Sequence, residues 1–120
     1  PSDPVAPWTV TFDARAEAQL AYLRDTHGVD LATPLSRALA LGPHPHPYRR
    51  IKPDGADAFV VAHKAWRARF RALGDTHALE VFDVFTGYRV TSLAEPGDPA
   101  PDLPMHRAFV ARWSVRLATP

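Results

Sequence analysis

Large apolar residues alternate with polar ones from Trp8 to Phe12, so that Trp8, Val10 and Phe12 share one face. A period of two predicts a half-buried strand. Asp13 follows where a helix needs an acceptor for its first free N–H groups, and Glu17 falls in the first turn, where negative charge suits the helix dipole. Ala16, Leu20, Leu23 and His27 recur at helical spacing, which predicts an amphipathic helix over residues 14–27 stopped by Gly28. A second helix is expected over 34–41. Thr33 offers a cap, Pro34 is preset for the first helical position, Leu35, Ala38 and Leu39 form the buried stripe, and Gly42 ends it.

Residues 43–47 alternate proline and histidine. Each proline lacks a donor and restricts its neighbour, so an extended connector is expected there. Residues 58–62 are an apolar, β-prone run. Over 66–73 the alternation is strict, with Trp66, Ala68, Phe70 and Ala72 on one face and Arg67, Arg69 and Arg71 on the other. His63, Lys64 and Ala65 between the two runs predict a tight hairpin. Residues 74–77 read as a second turn. Residues 78–86 read as a strand apolar on both faces, as a central strand should be, closed by Gly87, Tyr88 and Arg89. A proline-rich acidic loop is expected over 94–104. A last helix is expected from Met105 to Leu117, with Phe109, Val110, Trp113 and Leu117 on one stripe, where core packing is the default reading. His27 and His106 read as helix-end or helix-surface residues.

These elements predict an α+β domain in the order β-α-α-β-β-β-α. Its small antiparallel-rich sheet has about four strands, with two N-terminal helices on one face and an extra C-terminal helix. Residues 1–7, with three prolines, read as a flexible arm; 8–93 as the α+β domain; 94–120 as a loop and helix packing on the same domain.

Composition narrows the class. At 120 residues the chain is one domain with room for one core. Its 46% hydrophobic and 22% charged residues fit a globular protein, and no apolar run reaches the roughly 18 residues of a membrane span. The absence of cysteine excludes disulfides, iron–sulfur clusters and thiolate zinc sites. Residues 1–12 lack the basic start and apolar core of a secretory leader, so the expected compartment is the cytoplasm. Arginine outnumbers lysine 12 to 2 among 13 prolines, a usage that reads as a GC-rich bacterial genome. The net charge of +1 hides an asymmetry. Residues 48–71 carry seven cations against Asp54 and Asp57, a local +5, and the remainder carries −4. Such a segment suits an anionic partner such as RNA, and equally a solvated face.

The strand Trp66-Arg67-Ala68-Arg69-Phe70 is of the type aromatic-Arg-x-Arg-aromatic. It is preceded by the strand Phe59–His63 and followed by Leu79–Arg89 with its Gly-Tyr-Arg ending. Together with the first strand and the helical pair, this pattern resembles the RelE/ParE superfamily of bacterial toxins over roughly residues 8–90. The resemblance implies the toxin of a type II toxin–antitoxin system, held silent by a cognate antitoxin protein. RelE-type members cut mRNA on the ribosome and ParE-type members inhibit DNA gyrase. RNA cleavage needs a base for the 2′-hydroxyl, cations for the extra phosphate charge and a proton for the leaving oxygen. On this resemblance Arg67, Arg89, Tyr88 and His63 are the catalytic candidates. Arg49, Arg50, Lys52, Lys64, Arg69 and Arg71 are the nucleic-acid-binding candidates. The sequence departs from the family where alternate arginines are usual in the first hairpin strand and here stand Val60 and Ala62, and where the usual turn glycine is Lys64. A non-catalytic relative that binds a protein or nucleic acid through the Arg-rich strand is the alternative.

Each candidate has a plainer reading. Arg67, Arg69 and Arg71 would space cations about 6–7 Å apart, a match for successive phosphates, or would form a solvated face whose stems cover apolar surface. Arg89 would stabilise charge beside a stacking or proton-donating Tyr88, or bridge to Asp83 or Asp75. His63, between cations, is expected to stay neutral at pH 7, as a base or as an exposed turn residue. His44 and His46 are two ligands with no nearby carboxylate, too few for a catalytic zinc, so neither metal nor cofactor is expected. No Gly-rich phosphate loop or nucleophile elbow points to another enzyme class.

Overall fold

The computed structural model describes residues 7–44, 48, 50–89, 92–93 and 100–113. Its elements run β1 (Thr9–Phe12), α1 (Ala14–His27), α2 (Ala32–Leu39), β2 (Ile51–Asp54), β3 (Ala58–His63), β4 (Trp66–Ala72), β5 (Ala78–Thr86) and α3 (Leu103–Arg112). One five-stranded sheet has the order β1-β5-β4-β3-β2, with β1 parallel to β5 and the other pairs antiparallel. The α+β class and the chain order stand as expected, with one strand more than the pattern predicts.

That strand is β2. Lys52, Pro53 and Asp54 have no β-like periodicity, and only Ile51 is buried. β2 lies at the sheet edge, where a proline without an N–H is tolerated. Two helix boundaries also move. α2 begins at Ala32 rather than Pro34, and Asp30 rather than Thr33 supplies the capping carboxylate, accepting from Thr33 N–H at 3.2 Å. α3 covers Leu103–Arg112, two residues earlier than expected, and the rest of the predicted helix after Trp113 lies outside the described residues. So do residues 1–6 of the expected arm, 45–47 of the proline connector and 94–99 of the acidic loop. α1 follows its signals: the Asp13 carboxylate accepts from Ala16 N–H at 2.9 Å, and Gly28 closes the helix with φ 68°.

The core lies between the sheet and the helices. Ala16, Leu20 and Leu23 of α1, Leu35 and Leu39 of α2, and Phe109 of α3 pack on Val61, Trp66, Ala68, Phe70, Leu79, Val81 and Val84. β5 is an interior strand, as its two apolar faces predict, but β1 pairs with it only as far as Val81. Beyond that point Gln19, 0% exposed, takes the place of a strand. Its Oε1 accepts from Val84 N–H at 2.8 Å, and its Nε2 donates to Val84 O at 3.0 Å and Asp83 Oδ1 at 3.2 Å. One register shift between Arg69 and Phe70 leaves Phe82 as an extra residue in β5.

α3 docks through His106, which is 0% exposed rather than on the helix surface as expected. Its ring stacks on Trp66 at 3.9 Å, and Nδ1 lies 2.7 Å from Thr86 Oγ1. Burial pushes the imidazole below the ordinary histidine range against the opposing pull of Asp102. Among the described residues no helix is long and apolar enough to cross a membrane.

Candidate nucleic-acid interface

β4 turns its arginines away from the helices, because Trp66, Ala68 and Phe70 fill the core on the other side. The three guanidinium groups then have different fates. Arg71 is paired directly across from Glu80, with Nη2 at 3.0 Å and Nε at 3.1 Å from Oε1, and its guanidinium lies 4.4 Å from the Phe82 ring centre. Arg69 Nε lies 2.6 Å from Asp54 Oδ2, a charge contact out of line with the N–H, and the guanidinium sits 5.2 Å from the Phe85 ring centre. The open ribbon of three cations is therefore corrected. Asp54 arrives with the unforeseen β2 and Glu80 with β5, and each neutralises the nearest arginine.

Arg67 differs. Its Nη1 donates to the carbonyls of Lys64 and Trp66 at 3.0 and 2.9 Å, and no carboxylate pairs with it among the described residues. The group lies flat on Gly87: a Cβ there would stand 2.7 Å from the guanidinium carbon. Gly87 N–H is itself held by Ala65 O at 2.7 Å. Burial, then the charge of Arg50, lowers the basicity of Arg67, yet a guanidinium stays protonated at neutral pH.

Around Arg67 the hairpin end gathers further cations. The β3–β4 connection is only Lys64 and Ala65, since His63 pairs with Trp66. Lys64 takes φ 53°, the left-handed backbone that a glycine would adopt without strain. Arg50 precedes β2 and its carbonyl accepts from Ala62 N–H at 3.0 Å, which brings it beside the same end. His63 is pushed below the ordinary histidine range, first by burial and then by the charges of Lys64 and Arg50. The imidazole is thus held neutral at pH 7, with free lone-pair capacity between cations.

The remaining candidates divide. Arg89 is exposed two residues past Gly87, and Lys52 is exposed on the edge strand opposite Val60. Arg49 and His46 lie outside the described residues, and His44 is exposed. Tyr88 is not a poised donor: its hydroxyl donates to Asp102 Oδ1 at 2.6 Å, while its N–H donates to Thr86 Oγ1 at 3.0 Å. Asp102, Thr86 and His106 thus tie the end of β5 to α3, an arrangement that sequence reasoning missed. The only hint was the Asp102–His106 spacing of one helical turn. Gly87 was read as a strand terminator rather than as the seat of a guanidinium.

No family model matches the chain, and no curated protein matches it. Among solved structures, the toxin–antitoxin complex RelBE2 from Mycobacterium tuberculosis is similar at 22% identity, over 71% of this chain and 97% of that chain, with a TM-score of 0.44.

Proposed function

We propose that the chain is the toxin component of a type II toxin–antitoxin pair and that it engages RNA at the hairpin end of the sheet. The observation that carries this reading is the gathering of Arg50, Lys64 and Arg67 at the hairpin end, with Arg50 and Lys64 beside His63 on the Trp66 face and Arg50 also beside Arg67 on the other. Among the described residues no carboxylate is paired with any of the three cations. Three uncompensated charges at one end of the sheet, two of them beside a neutral imidazole, suit a phosphodiester backbone. The order of elements and the aromatic-Arg-x-Arg-aromatic strand, on which the sequence resemblance rests, agree with this reading. The cognate antitoxin is expected to cover this end with carboxylates.

Cleavage would use His63 as the base for the 2′-hydroxyl. The 2′-oxygen attacks phosphorus, Arg50 neutralises the extra charge, the Lys64 ammonium returns a proton to the departing 5′-oxygen, and Arg67 holds a neighbouring phosphate on the other face of the hairpin. Induction of the wild-type chain is expected to stop growth and fragment mRNA. Joint Arg50→Ala, Lys64→Ala and Arg67→Ala replacement is expected to restore growth with the protein still soluble. Unimpeded growth beside abundant soluble wild-type protein would rule out the toxin reading, and arrest with intact mRNA and damaged DNA would move the target to gyrase.

A second reading, a non-catalytic RNA-binding relative, is favoured by the Tyr88–Asp102 bond and by the neutralised Arg69 and Arg71. It predicts bound but intact RNA, with log affinity falling against log salt at a slope of about −2 for three phosphate contacts to a single strand.

A further inference from the structure

On the helix side of the same turn a cleft of about 190 Å³ opens between the hairpin, the α1–α2 loop and the head of α3. Trp66 and Met105 contribute apolar surface; Asp30, Asp102, His63 and Lys64 contribute polar groups. The volume falls below the roughly 300–1,000 Å³ of sites for drug-sized ligands, so an extended cofactor is too large and one flat ring system is the right scale. Lys64 and His63 border both this cleft and the cationic cluster. A nucleotide whose phosphate sits on the cluster therefore presents its base here.

The two carboxylates decide which base. Asp30 stays ionised because the Thr33 hydroxyl and N–H stabilise its charge. Asp102 is held by the Tyr88 hydroxyl on Oδ1, while Oδ2 stands 3.4 Å from His106 Nε2, a buried nitrogen without a hydrogen bond. Each carboxylate keeps acceptor capacity and can donate nothing. Guanine presents two adjacent donors, N1–H and the 2-amino group, which match the two oxygens of one carboxylate. Adenine and cytosine set an amino group beside a ring acceptor that a carboxylate repels, and uracil flanks its N–H with two carbonyls. The Met105 thioether and the Trp66 ring supply apolar contact for the purine.

We propose that this cleft is a guanine subsite, in which the base is read by Asp102 and Asp30 while its phosphate rests on Arg50 and Lys64 at the rim. This rests on the RNA reading above, and the two are separable by experiment. Fluorescence anisotropy would compare a labelled uridine hexamer with hexamers carrying one central guanosine, adenosine or cytidine. The guanosine hexamer is expected to bind about tenfold tighter than the uridine hexamer, and the other two within about twofold of it. Asp102→Asn and Asp30→Asn are each expected to erase the guanosine-to-uridine ratio. Should Asp102→Asn fail to fold, the exposed Asp30→Asn carries the test. Equal affinity for all four hexamers overturns the subsite and leaves the RNA reading standing. Absence of binding to every hexamer overturns the RNA reading. The Met105 methyl resonance then decides the subsite alone: a shift with GMP and not with CMP supports it, and no shift with either overturns it.

Discussion

Arg67 and Arg71 stand on the same face of the same strand, yet one is an available cation and the other is spent. The difference does not lie in β4 but in what faces it. Arg71 looks across to Glu80, whereas Arg67 looks across to Phe85 and Gly87 and finds only carbonyl oxygens. A cationic stripe in a sequence therefore says little about charge until the neighbouring strands are known. What survives pairing is the charge left to meet an anion.

The sharpest way to break this comparison is to remove the two arginines separately. Arg67→Ala is expected to weaken RNA binding by about 10- to 100-fold, the scale of one lost charged hydrogen-bonding group, whereas Arg71→Ala changes it less than about threefold. Equal losses in a filter-binding titration would refute the division. Gly87→Ala probes the same point without removing charge. The new methyl meets the mobile end of Arg67 rather than backbone, so the protein is expected to fold normally and lose about tenfold in affinity as the guanidinium is displaced. An unchanged affinity would show that the seat on Gly87 does not matter.

The comparison can also be reversed. Asp54→Asn with Glu80→Gln releases Arg69 and Arg71, and affinity is expected to rise several-fold at low salt. The salt slope should steepen by about 0.7 for each arginine that reaches a phosphate. The smallest effect concerns α3. His106 is buried neutral with its folded pKa depressed, so the unfolded chain binds the extra proton first. Stability is complete above the unfolded value of about 6.5 and declines as pH falls below it. Urea midpoints are expected to drop between pH 7 and 5 in the wild type, and less so in His106→Phe. An equally steep drop in the variant would assign the acid response to another group.

Much of this architecture was legible because burial imposes a period. β1, α1 and β4 each repeat at 2 or 3.6 residues, β5 is an apolar run bounded by turns, and Asp13 and Gly28 mark the ends of α1. β2 was not legible, since an edge strand needs only one buried residue, Ile51, and tolerates Pro53. That omission propagated to the site: with Asp54 unplaced, Arg69 read as free. His106 was misjudged for a related reason. Its polarity suggests surface, and only the tertiary arrangement supplies the Trp66 ring and the Thr86 hydroxyl that make burial tolerable. The hairpin end was legible in part: Lys64 and His63 were placed at the turn, but nothing local announces that Arg50 would join them.

Gln19 has one more implication. A side-chain amide can close a strand's ladder only while its helix stays docked, so the far half of β5 carries a latent edge. Gln19→Leu would keep the volume and strip both partners from Val84, leaving a template that another chain could zip onto. Self-association of that variant, rather than simple unfolding, would be the sign that one amide guards this protein against its own copies.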